Sequence, residues 1–163
     1  MTEYISPVPM PTPDAIAPEV YKGIYGMPMF VSVPTTDFEV STRFWTEGLG
    51  FIDFFTASGQ VTHLRRWAFQ DVLLLPGEPT AETPGMTASF TCVLGQLDEI
   101  ADRCEALSPG CTEGPIHRPW NMVDLLVTTP ENVKVVMTAG KPLDLNGPEA
   151  DYLREGGWDL PTE

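Results

Sequence analysis

The chain holds two histidines, three cysteines and 23 acidic residues, and any chemistry it performs must be assembled from these. His63 stands in a β-patterned run, QVTHLRRW, and His117 lies near a Pro-Trp loop, so the two belong to different parts of the sequence. A metal site built on them needs both to meet carboxylates of Asp71 or Asp124. The plainer account is two polar side chains on a partly wet strand and loop. Cys92 falls in a strand and Cys104 on the apolar face of a helix, where thiols behave as small hydrophobes. Cys111 follows a Pro-Gly turn, with no base near it in sequence. No pair has CxxC spacing, which argues against zinc and a disulfide scaffold and for a reduced, cytoplasmic setting. The nucleophile elbow, HExxH, GxGxxG and phosphate-loop patterns are all missing. Asp71 and Asp124 lie on predicted strands and could accept from a cation or an amide. Tuned by burial, Asp71, Asp124 or His63 could instead serve as a general acid or base. Arg65 and Arg66 as structural partners of the carboxylates are the blander alternative.

The aromatic residues suggest binding. Phe30, Phe54, Phe55, His63, Trp67, Phe69 and Trp120 fall on strands or loops, whereas Phe44 and Trp45 sit on a helix and read as core. Trp67, in a hairpin beside arginines, and Trp120, in a loop before a strand, are expected to be partly exposed. There each can stack on a flat ligand, worth about 0.5–1.5 kcal/mol beyond the area buried. Met122, close to Trp120, can adapt its shape to a ligand. A net charge of −14 disfavours nucleic acid and suits a cationic small molecule, although acidity also serves solubility alone.

These residues need elements to position them. A chain of 163 residues, 42% hydrophobic, supports one domain with a sizeable core. No apolar run reaches membrane length, and MTEYISPVPMPTPD has neither the basic start nor the apolar block of a secretory signal. Residues 1–26 contain five prolines and read as an extended arm, and residues 141–163 as a polar tail with a helical turn near Glu149–Glu155 and a lone Trp158. Between them a β-branched run at 29–36 precedes a helix over Asp37–Gly48, for which Thr36 and Glu39 form a capping box. Strands follow at 51–57, 60–67 and 70–76. After a Gly/Pro linker at 77–85 the order starts again: a strand at 89–94, a helix through Leu97, Ile100, Cys104 and Leu107, and strands near 111–115, 122–128 and 133–138. Phe38 and Leu97 open the two helices 59 residues apart, so two copies of one unit, 27–80 and 86–140, form a single domain. The fold class is α+β, with two βαβββ modules.

The segments VPTTDFEVSTRFWTEGLGF (33–51) and RPWNMVDLLVTTPENVKVVM (118–137) resemble the vicinal oxygen chelate superfamily of glyoxalases, extradiol dioxygenases and bleomycin-resistance proteins. The resemblance implies curved mixed sheets enclosing a cavity, in a homodimer that often swaps modules between subunits. Metal-using members place His, Gln or Glu at four converging strand positions, which correspond here to Phe30, Leu73, Ser89 and Val136. Three hydrocarbon side chains and one hydroxyl cannot supply donors at about 2.0–2.2 Å. No metal or other cofactor is therefore expected, and the resemblance points to the bleomycin-resistance-like branch. The expected role is sequestration of a bulky aromatic natural product or antibiotic, a cationic one being suited by the acidity of the chain. The predicted pocket comprises Phe30, Phe55, His63, Trp67, Phe69, Asp71, Leu73, Ser89, Trp120, Met122, Asp124 and Val136. The alternatives are a metal-independent isomerase, cyclase or lyase on the same scaffold, or an enzyme with relocated metal ligands.

Overall fold

A computed structural model of the chain describes residues 9–24, 29–82 and 85–160. The β-branched run forms β1 (Phe30–Thr35), followed by α1 (Phe38–Arg43). The helix is capped by Asp37, whose carboxylate accepts from Val40 N at 3.0 Å, while Thr35 Oγ1 accepts from Asp37 N. The expected capping box of Thr36 and Glu39 is thus displaced by one residue, because an aspartate offers a charged acceptor at the N-terminal end of the helix. The last turn widens into a π-turn over Phe44–Gly48, closed by Leu49 N donating to Phe44 O. Phe44, Trp45 and Leu49 are all buried there. Gly50, at φ 79, then reverses the chain where a side chain would be strained.

The strands β2 (Ile52–Ala57), β3 (Val61–Arg66) and β4 (Gln70–Pro76) complete the first module. Its sheet order is β1-β4-β3-β2, with β1 parallel to β4 and the other pairs antiparallel. The second module repeats the plan with β5 (Ala88–Thr91), α2 (Leu97–Leu107), β6 (Thr112–His117), β7 (Met122–Thr128) and β8 (Lys134–Gly140), in the order β5-β8-β7-β6. The strand expected to run to residue 94 stops at Thr91, where the chain turns through a 3₁₀ segment at Leu94–Gln96 into α2. Period-2 alternation sorts each sheet into two faces. Val33, Leu64, Val72 and Leu74 of the first sheet, and Val123, Leu125, Val127, Val135, Met137 and Ala139 of the second, face one shared core.

The modules meet through that core and through their helices. Trp45, Phe51 and Phe90 pack edge to face with centroids 5.2 to 6.2 Å apart, joining the first module to β5 of the second. Each such pair adds about 0.5–1.5 kcal/mol to the burial itself. Arg66 reinforces the joint. Its guanidinium donates to the carbonyl of Thr91, to Gln70 Oε1 and to Gln96 Oε1, and burial lowers its pKa to about 10, so it stays charged at neutral pH.

Of the arm expected over residues 1–26 and the tail over 141–163, residues 1–8, 25–26 and 161–163 lie outside the described residues, and the described parts pack on the modules. The arm passes over both modules, with Pro11 beside Gly140, Tyr21 N donating to Trp67 O, and the carbonyls of Tyr21 and Gly23 accepting from Arg65. The tail folds as α3 (Pro148–Glu155), anchored by the buried Ala150 and by Lys141 Nζ on Glu149 Oε1 at 2.5 Å.

Candidate functional site

The predicted site residues fall into two groups, one on each module. On the first module, Phe30 pairs with Asp71 and Asp71 with Arg65, while Leu73 pairs with His63 and His63 with Phe55. A bulge between Asp53 and Phe55 interrupts β2 and brings Phe54 alongside them. His63 lies between two rings, edge-on to Phe30 at 5.3 Å and to Phe54 at 5.0 Å, with Nε2 3.4 Å from Asp71 Oδ2. Asp71 is committed elsewhere. Arg65 grips both of its oxygens at 2.7 and 3.0 Å, and Phe54 covers the guanidinium at 4.1 Å. The buried His63 Nε2 makes no hydrogen bond among the described residues. Phe55 and Phe69 are largely exposed, Phe69 at the β3–β4 turn with φ 61.

Trp67 departs from expectation. It is only 4% exposed, with the Arg66 guanidinium 4.4 Å over its ring. Its φ of 54 at the hairpin and the bond from Tyr21 to its carbonyl hold it beneath the arm's crossing, so it offers no open ring to a ligand. The Arg65–Asp71 pair follows the structural alternative, whereas Arg66 serves the joint between modules.

On the second module Ser89 and Val136 are direct partners, and Asp124 pairs with Thr138. Asp124 is also locked, accepting from Arg118 Nε and from Thr138 Oγ1, each at 2.7 Å. Arg118 in turn lies 5.7 Å from the centroid of Trp120. Beyond this network opens a groove of about 880 Å³. Trp120 lines it from the β6–β7 loop, Met122 and Gly140 from the sheet, Pro11 from the arm, and Leu153, Trp158 and Leu160 from the tail. Sequence reasoning found Trp120 and Met122 and missed the tail, where the available signal was Trp158 itself, an isolated aromatic beyond a short amphipathic helix. Lys141 and Glu149 set the position of α3 on this groove, and the Lys141 ammonium, donating to Glu149, holds that carboxyl below its usual range.

Among solved structures, an integron cassette protein from the mobile metagenome of Halifax Harbour Sewage Outfall is similar over 71% of this chain and 99% of its own, at 22% identity and a TM-score of 0.56. The fosfomycin resistance protein FosX of Mesorhizobium loti covers 73% of this chain and 95% of its own, at 18% identity and a TM-score of 0.57. FosX of Listeria monocytogenes, solved with Mn(II) and sulfate, covers 80% of this chain and 99% of its own, at 16% identity and a TM-score of 0.59. The fold is that of the vicinal oxygen chelate proteins. No family profile matches the sequence, and no curated protein does.

A metal of the kind used on the vicinal oxygen chelate fold does not fit the residues present. Phe30 packs on His63, Leu73 and Val136 carry hydrocarbon, and Ser89 has one hydroxyl. Among the described residues no three His, Cys, Asp or Glu side chains converge. The nearest approach to a donor set, His63 with Asp71, is already occupied by the Arg65 guanidinium, whose charge would repel a cation.

Proposed function

We propose that the chain is a metal-independent binding protein that sequesters a bulky aromatic natural product, in the manner of a self-resistance protein. The observation that carries this reading is the groove over the second module. Its volume suits a drug-sized molecule, and Trp120, Trp158 and Tyr152 supply flat faces with Met122 as an adaptable floor. Glu155 adds a carboxylate at the groove, and with the net charge of −14 it favours a cationic ligand. Such a protein protects by mass action, holding free ligand low without altering it. As a homodimer it would also cover exposed side chains of the first face, Phe55 and Phe69 among them.

Calorimetric titration with peptide and polyketide antibiotics, followed by mass spectrometry of the recovered ligand, tests the reading. Saturable binding with the ligand returned unchanged supports it, and recovery of a modified ligand refutes pure sequestration. That second outcome would favour a metal-independent enzyme, for which His63 is the candidate acid or base. Of the three titratable candidates it is the one not held by an arginine, and its ring lies between Phe30 and Phe54. Turnover that persists in chelator and is lost in His63→Ala would establish it.

A further inference from the structure

A second, smaller cavity of about 230 Å³ lies where the two modules adjoin, away from the aromatic groove. Its walls are mostly apolar, with Val31 and Val33 from β1, Ala88 from β5, Val133 from the β7–β8 turn and the exposed Met29 and Met86, and the hydroxyl-bearing Ser32, Thr80 and Thr87 also line it. Glu131 also lines it, and this glutamate is 1% exposed. One of its oxygens, Oε2, accepts from Trp45 Nε1 at a long 3.3 Å. The other, Oε1, is buried and makes no hydrogen bond among the described residues. A buried carboxyl whose one partner among the described residues is a weak neutral donor keeps an acceptor unsatisfied, which is costly.

We propose that this inter-module cavity is a binding site for a small apolar amine, whose ammonium group donates to Glu131 Oε1 while its hydrocarbon body fills the space between Val31, Ala88 and Val133. Three features set the ligand class. The orphaned atom is a carboxyl oxygen that lacks a donor, and among N–H donors a cationic one gives the stronger bond. The other polar side chains on the walls are the uncharged hydroxyls of Ser32, Thr80 and Thr87, so the rest of the ligand is mainly hydrocarbon. The volume is below the roughly 300–1,000 Å³ of drug-sized sites, which excludes the bulky ligand of the groove. Met29 and Met86, unbranched and exposed, give an adaptable entrance. The site does not depend on the sequestration reading, since it shares no lining residue with the groove.

Cyclohexylmethylamine serves as the probe, with the isosteric cyclohexylmethanol as its neutral control, followed by NMR of the methionine methyl groups. The amine is expected to shift Met29 and Met86 saturably. Glu131→Gln, which keeps an acceptor for Trp45, should weaken it by at least about tenfold, as should replacing the ammonium by the hydroxyl. Ala88→Leu leaves Glu131 untouched and should abolish the shifts by filling the cavity, while Trp120→Ala in the groove should leave them unchanged. No shift of either methyl at millimolar amine, equal binding of amine and alcohol, or unchanged affinity in both Glu131→Gln and Ala88→Leu would overturn the proposal.

Discussion

Replacing Asp71 by asparagine is the sharpest test of how the first open face is held together. The Asp71 side chain is fully buried, and Arg65, almost as buried, binds both of its oxygens at 2.7 and 3.0 Å. Asparagine keeps the shape and one acceptor but removes the negative charge, leaving a guanidinium enclosed by Phe54 and the arm. Breaking a buried pair from one side costs about 3–5 kcal/mol, because the surviving charge is uncompensated. Against the typical 5–15 kcal/mol of a domain this is a large fraction. Urea unfolding followed by tryptophan fluorescence should show the loss as a lower midpoint at unchanged slope. The double variant Arg65→Met/Asp71→Leu removes both charges and should recover most of that stability. It should not recover the arm, since Arg65 also donates to the carbonyls of Tyr21 and Gly23, so proteolysis near residue 22 should quicken. A loss below about 1 kcal/mol in Asp71→Asn would show that solvent reaches the pair and that burial is not what makes it matter.

Truncating Trp120 or Trp158 to alanine should cost a groove ligand about 2 kcal/mol, roughly thirtyfold in affinity by calorimetry, with little change in unfolding midpoint. The carboxyl of Glu149 is held below its ordinary range by Lys141, so its contribution is present above the usual carboxylate pKa and fades as pH falls through the lowered one. Trp158 emission should therefore report release of α3 at acid pH, and Glu149→Gln should remove that pH dependence. Burial pushes the thiols of Cys92 and Cys104 up to about 11 and about 12, and raises that of Cys111 as well. Native protein should react slowly with a disulfide reagent at pH 8, and all three thiols should titrate promptly once the chain is unfolded in denaturant.

The modules were legible because their signals are local and repeated. The Phe38 and Leu97 helix starts, the Gly48 and Gly50 stop and the alternation in each strand all act within a few residues. The groove was not legible, because it is made by segments far apart in the chain. Trp120 and Met122 could be nominated from their surroundings, but Pro11 and Trp158 reach them only through tertiary docking that no periodicity encodes. Trp67 misled for a related reason. Its neighbours suggested a surface hairpin, whereas a positive φ and a crossing arm bury it. Glu131 gave no warning at all, sitting in a Thr-Pro-Glu-Asn turn that reads as solvent-facing until Trp45 is seen to bond with it.

The Arg66 clamp bears on how such a duplicated fold could be taken apart. Its three acceptors include Thr91 and Gln96, which belong to the other repeat, and the polypeptide between the repeats runs through a polar Gly/Pro stretch. Two fragments made by cutting within residues 77–82 should reassociate when mixed, since what joins them is a shared interior and a few side-chain hydrogen bonds, the Arg66 clamp among them, rather than a continuous sheet. Losing Arg66 in one fragment should then weaken that complementation far more than it disturbs either repeat's own strands.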